Sequence, residues 1–150
     1  MANNYQYVSG FCFKVSFIDF GGVNIHAKFR DVSGIQAEME TEDIREGGEN
    51  RFIHHLPKGA KFPNLVLKRA LHALPSRIVK WAESAIYNFD FSMHQVIVSL
   101  LDEKGKPVKS WNFIDAYPVK MQISDLNATE NSLVIETLEL AYKYSKSVSL

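Results

Sequence analysis

The stretch Phe11-Cys12-Phe13-Lys14-Val15-Ser16-Phe17 decides the fold class, because Phe11, Phe13, Val15 and Phe17 alternate with Cys12, Lys14 and Ser16. A period of two belongs to a strand with one buried and one wet face. After Gly21-Gly22 the same phase returns, with Val23, Ile25, Ala27 and Phe29 set against Asn24, His26, Lys28 and Arg30. Two glycines between alternating runs predict a β-hairpin. A turn at Ser33-Gly34 then leads to Ile35, Ala37 and Met39, with Gln36, Glu38, Glu40 and Glu42 on the other face. Pairing this third run with the second as a meander would set Lys28 and Arg30 across from carboxylates. Each exposed pair of that kind contributes roughly 0.2–1 kcal/mol.

Between Glu42 and Pro63 the pattern breaks. Arg45-Glu46-Gly47-Gly48-Glu49-Asn50 is followed by Arg51 to Leu56 and Pro57-Lys58-Gly59, a stretch punctuated by glycine and proline. It predicts a long excursion, a hairpin centred on Gly47-Gly48 that projects from the body; loops of this length usually carry function. Leu65-Val66-Leu67 gives a short strand ending at Lys68-Arg69. One helix is expected from Pro75-Ser76 to about Tyr87, with Ile78, Ala82, Ala85 and Ile86 on one face. Phe89 to Leu101 contains Val96-Ile97-Val98, an apolar run suited to a strand covered on both sides. Asp102 to Pro107 turns the chain back through a strand from Val108 to Phe113, and another covers Tyr117 to Ile123. Leu133 to Tyr144 stays open: Leu133-Val134-Ile135 favours strand, whereas Thr137 to Ala141 suits a helix equally.

The chain has 150 residues, enough for one domain, and its 46% hydrophobic content supplies a core. Lys and Arg number 17, as do Asp and Glu, so no long-range field gathers nucleic acid or anionic lipid. Neutrality also suits a protein that associates with its own copies. The lone Cys12 permits no intrachain disulfide. Met1 to Tyr7 lacks the features of a signal peptide, and no run approaches the roughly 20 apolar residues of a membrane helix, which predicts cytosolic synthesis.

Catalytic and metal constellations are hard to assemble from this sequence. The histidines lack helical i,i+4 ligand spacing, and adjacent His54 and His55 would point to opposite faces of an extended chain. Cys12 lies within a strand, not at a helix N-terminus that would activate it. Glu38, Glu40 and Glu42 could hold a hard cation or serve glycoside chemistry, but on an alternating strand they read as a solvated face. Gly47-Gly48 lacks the Walker spacing of a phosphate loop. Lys58, Lys61, Lys68 and Arg69 near Phe62 are too sparse for a nucleic-acid platform.

Several motifs, taken in order, resemble the tail tube protein family of contractile phages and of extracellular contractile injection systems, which is related in fold to the type VI secretion tube protein. They are Phe29-Arg30-Asp31-Val32-Ser33-Gly34-Ile35 with Glu38, Arg45 to Asn50, His55-Leu56-Pro57-Lys58-Gly59 and Pro63 to Ala70. Further on come Trp81, Leu100-Leu101-Asp102-Glu103, Trp111-Asn112-Phe113, Ala116 to Lys120, Asp125-Leu126-Asn127-Ala128 and Ile135 to Ala141. The resemblance implies a mainly β (α+β) single domain over residues 1–150. It would be an antiparallel β-sandwich or barrel-like tail-tube fold, with one flanking helix near residues 76–87 and an extended arm near residues 45–62. It also makes the last segment a strand.

Functionally, the resemblance implies a structural subunit and no enzyme or cofactor. Hexameric rings would stack into a hollow tube that conducts protein or DNA after sheath contraction. Expected partners are further copies of the chain, a sheath protein, baseplate or spike proteins, and a tape-measure protein or luminal cargo, without a membrane segment. The assembled product would be part of a phage tail or an injection particle. Arg45, Glu46, Gly47, Gly48, Glu49, Asn50, Arg51, His54 and His55 are then candidates for subunit or ring contacts. His26, Lys28, Arg30, Gln36, Glu38 and Glu40 are candidates for a lumen wall of mixed charge. A single-ring adaptor or cap at the baseplate is the alternative, and a small binding module is a more distant one.

Overall fold

The computed structural model describes residues 12–45, 47–48, 51–71, 76–129 and 132–148; Met1 to Tyr7, Phe11, Glu46, Glu49, Asn50 and Pro75, invoked above, lie outside them. The elements in chain order are β1 (Cys12–Phe17), β2 (Ile25–Phe29), β3 (Asp31–Ser33), β4 (Glu38–Ile44), β5 (His54–Lys61) and β6 (Leu65–Ala70). Then come α1 (Arg77–Asn88), β7 (His94–Leu101), β8 (Pro107–Ile123), β9 (Ile135–Ala141) and β10 (Tyr144–Val148). One antiparallel sheet has the order β2-β1-β7-β8-β9-β6-β3, with β10 also paired to β8, and β4-β5 forms a separate two-stranded ladder. The main sheet is open, not a closed barrel.

The expected first hairpin is present, with Val15 opposite Ala27 and Phe17 opposite Ile25. Its loop takes left-handed backbone at Gly21 (φ 68) and Gly22 (φ 84), and the Asp19 carboxylate accepts from the Gly22 amide at 3.1 Å. Strand β8 corrects the expectation of two separate strands, since residues 107–116 pair with β7 and residues 117–123 with β9. Asp115, at φ 52, lies at the change of partner. A strand that changes sheets at an irregularity makes a corner, so the sheet divides into two halves. Strands β2-β1-β7-β8-β10 form one half, and β8-β9-β6-β3 the other.

Both halves contribute to one core. Val15, Phe17, Val96, Val98 and Phe113 from the first join Leu65, Leu67, Leu138 and Leu140 from the second, and α1 adds Ile78, Trp81 and Ala82. Each such aliphatic or phenyl side chain contributes about 1.5–3 kcal/mol by leaving water. The Ser76 hydroxyl caps α1 by accepting from the Val79 amide at 3.2 Å. The helix is where the pattern placed it, but Ile86 is exposed and Trp81 takes its place on the buried face. In β7, Val96 and Val98 are fully buried while Ile97 is only half-covered, so one face of this strand is partly wet. The ambiguous last segment is strand, in β9 and then β10.

The expected meander of second and third strands is not formed. Strand β3 pairs with β6, residues 34–37 are not strand, and Glu38 onward pairs only with β5. The reason lies in the side chains: Glu38, Glu40 and Glu42 occupy alternate positions, and Thr41 and Asp43 are polar on the other face. No continuous apolar face is left to bury against the body. The arm therefore begins at Glu38 and not near residue 45.

Candidate assembly surfaces

The arm is a ladder running from Glu38 opposite Lys61 to Ile44 opposite His54, with an irregularity between Glu40 and Thr41. All of its strand residues are exposed except half-buried His54. Lys61 and Glu40 approach to 3.9 Å, but both are well exposed, so this ion pair contributes no more than about 1 kcal/mol. The Asp43 carboxylate is bonded to the His55 ring, while the His54 ring meets Phe52 edge-on at 5.1 Å. The two histidines thus have different partners, as alternation predicts. A two-stranded ladder with both faces in water is marginally stable by itself. Of the predicted contact residues, Arg45, Gly47, Gly48, Arg51, His54 and His55 lie at its distal end.

The predicted lumen residues are divided among four places. His26 and Lys28 lie on β2, where the His26 Nδ1 and the Ser16 hydroxyl are 2.8 Å apart. Arg30 follows β2 and contacts Asp31 at 3.8 Å; Gln36 is in the connection to the arm. Glu38 and Glu40 are on the arm itself.

The strand register shows which residues share a face with His26 and Lys28. Lys28 is opposite Lys14, Lys14 opposite Ser99 and Ser99 opposite Ser110; a second row runs His26, Ser16, Ile97, Asn112, Lys146. Neighbours on this face bond to each other, Ser99 to Ser110 at 2.9 Å and Gln95 to Asn112 at 2.8 Å. The face carries lysines where mixed charge was expected: the only carboxylate in these five strands is Asp115, at the corner. Lys14 and Ser16 were visible in the alternation of β1, whereas Ser99, Ser110, Asn112 and Lys146 join the face only through long-range pairing. Among the described residues, this half-sheet ends in two strands that each have one ladder partner, β2 on β1 and β10 on β8.

Among the described residues, no group of three or more His, Cys, Asp or Glu side chains could hold a metal ion. Cys12 is a free, half-buried thiol in β1. The enclosed gap bordered by Phe29, Arg69, Ile78 and Glu136 measures about 10 Å³, room for no more than a water. No described helix is long and apolar enough to cross a membrane.

Known structures share this architecture. A chain in the baseplate of the anti-feeding prophage, solved with six-fold symmetry imposed, superposes with a TM-score of 0.86 at 28% identity, covering 95% of this chain and 96% of that one. A chain of the sheath-tube complex of the extracellular contractile injection system PVC superposes at 0.80 with 20% identity, covering 99% and 95%. Hcp1 from Flavobacterium johnsoniae superposes at 0.60 with 16% identity, covering 91% and 94%. No curated protein sequence matches the chain. Residues 9–146 match the family described as T4-like virus tail tube protein gp19, and with nearly the whole chain matched this protein belongs to that tail tube family.

Proposed function

We propose that this chain is the repeating subunit of the inner tube of a contractile tail or injection particle, closing into hexameric rings that stack into a hollow conduit. The observation that carries the reading is the pair of open edges on one half-sheet. An unpaired edge is a template for another strand, and joining β10 of one copy to β2 of the next removes both. Counting antiparallel steps through β8, β7 and β1, strands β2 and β10 run in the same direction. In a ring around an axis along the strands, the new ladder is therefore parallel.

In this assembly the face bearing His26, Lys28, Lys14, Ser16, Ser99, Ser110, Asn112 and Lys146 lines the bore. Its short polar side chains, already bonded to each other, make a smooth wall. Glu38 and Glu40 leave the wall for the arm, whose distal residues Arg45 to His55 reach a neighbouring subunit. Sheath, baseplate or spike, and a tape-measure protein or other luminal cargo are the partners this role requires.

Negative-stain microscopy of concentrated protein is expected to reveal rings or tubes. A species that stays monomeric at every concentration and salt would refute the reading. The second reading, a single-ring adaptor or cap, is favoured by the 28%-identical chain, which belongs to a baseplate. Copy number per purified particle separates the two, since a tube subunit recurs in many rings and an adaptor in one.

A further inference from the structure

Large apolar residues at the end of α1 and just beyond it are in water. Tyr87 is 77% exposed, Phe89 83%, Met93 58% and Phe91 41%. Phe89 is also the C-cap of the helix, with φ 55. Glycine or asparagine usually takes that left-handed position, because a larger side chain is strained there. A bulky ring that is both strained and exposed stands where neither helix termination nor the core requires it.

The rings of Phe89 and Phe91 are held in place. Phe91 meets Phe89 edge-on at 4.9 Å and Tyr117 at 5.8 Å, so an aromatic ledge runs from the end of α1 to β8 just past the Asp115 corner. A preorganised, exposed apolar patch marks an interaction site.

The arm presents a matching surface. Ile44, Phe52 and Leu56 are 40%, 54% and 46% exposed. The register places them together: Leu56 is opposite Glu42, Ile44 is opposite His54 two positions on, and Phe52 contacts the His54 ring. Seven strand residues at about 3.4 Å each carry this cluster roughly 20 Å from Glu38.

We propose that the ledge of Phe89 and Phe91 receives the arm tip of Ile44, Phe52 and Leu56 from a neighbouring copy. The inference rests on the tube reading in requiring copies to stand side by side, and it adds the acceptor. Donor and acceptor are different patches of one chain, so the contact is heterologous and propagates from copy to copy. Aromatic anchors surrounded by polar residues are the usual centre of such an interface. Charge at the margin agrees, since Arg45 follows Ile44 on the arm and Asp90 follows Phe89 on the ledge.

The test is directed disulfide formation in the full chain, in a Cys12→Ser background. The Leu56→Cys/Phe89→Cys variant, oxidised under assembling conditions, is expected to give a ladder of covalent oligomers on a non-reducing gel. Either cysteine alone should give none. In parallel, Phe89→Ser should melt as the wild type does but raise the concentration needed for assembly at least about tenfold. Wild-type rings together with no ladder and unchanged assembly of Phe89→Ser overturn the acceptor while leaving the tube reading intact. Absence of any wild-type assembly overturns both.

Discussion

Arg69 and Glu136 face each other across β6 and β9, with Nε donating to Oε2 at 2.9 Å and only 11% and 8% of the two side chains exposed. The same guanidinium donates to the Ser76 hydroxyl at 3.2 Å and lies 5.4 Å from the Phe29 ring centroid. One cation thus links two strands, the cap of α1 and the end of the first hairpin. Removing one partner leaves a buried charge uncompensated, so Glu136→Ala should cost about 3–5 kcal/mol in urea unfolding. The double change Arg69→Met/Glu136→Leu should recover most of that loss. If Glu136→Ala unfolds at the wild-type midpoint, the pair is not a structural link.

Gly34 should be the least replaceable glycine in the described chain. Its φ is +90, and a Cβ there would lie 2.1 Å from the Asn64 carbonyl oxygen, a backbone atom that cannot turn aside. Gly34→Ala combines left-handed strain with a backbone clash, and should destabilise by about 2–4 kcal/mol. Gly47→Ala, where a Cβ meets nothing within 4 Å, should change stability by less than about 0.5 kcal/mol. Equal melting temperatures for the two variants would contradict this account.

Trp81 and Phe113 test the core from opposite sides. Phe113 is fully buried; Trp81 meets Phe17 and Phe20 edge-on and donates its indole N–H to the Ser92 carbonyl at 2.8 Å. Alanine at either site should cost about 3–5 kcal/mol by chemical denaturation of the subunit. A loss confined to assembly, with unchanged monomer stability, would move these residues from core to interface.

The Tyr142 hydroxyl is buried without a hydrogen bond of ordinary geometry. Burial raises its pKa above the usual 10.0, and nearby Ser145 opposes that shift only in part. A raised folded-state pKa contributes its stabilisation fully below the unfolded value, and loses it as pH climbs through the folded one. Stability should therefore fall above about pH 10 for this group. Tyr142→Phe should remove that alkaline loss and stabilise the neutral-pH protein by up to about 1 kcal/mol, since it deletes an unpaired polar group. Thermal melts at pH 7 and in the alkaline range decide it.

Local pattern was sufficient wherever local physics decides structure. The β1–β2 hairpin followed from alternation around Gly21-Gly22, and α1 from its capping serine and apolar spacing. The arm boundary was hidden because Ile35, Ala37 and Met39 imitate a half-buried strand, although Met39 is 57% exposed. Pairing of β3 with β6 and of β10 with β8 joins residues far apart in sequence, and no periodicity encodes such partners. The polar face was accordingly half legible: His26 and Lys28 were found, while Lys146 arrives on it only through β10. The ledge was missed because Phe89 and Phe91 read as the start of a strand that begins at His94.

The arm gives the sharpest division between fold and assembly. Its ends meet where Glu38 pairs with Lys61, and among the described residues its strands pair only with each other. Replacing residues 38–61 by a short glycine-serine linker should therefore leave the main sheet and its core folded, with a cooperative melt close to that of the full chain. Cutting only residues 45–62 would strip β4 of its partner and expose an unpaired strand, which invites aggregation. If the arm tip reaches the next copy as proposed, the clean replacement should remain monomeric at concentrations where the full chain assembles, because it lacks the apolar surface of Ile44, Phe52 and Leu56. Sedimentation at matched concentrations reads this directly. An armless chain that still assembles would place ring closure wholly in the β2 and β10 edges, and one that fails to fold would make the arm part of the domain itself.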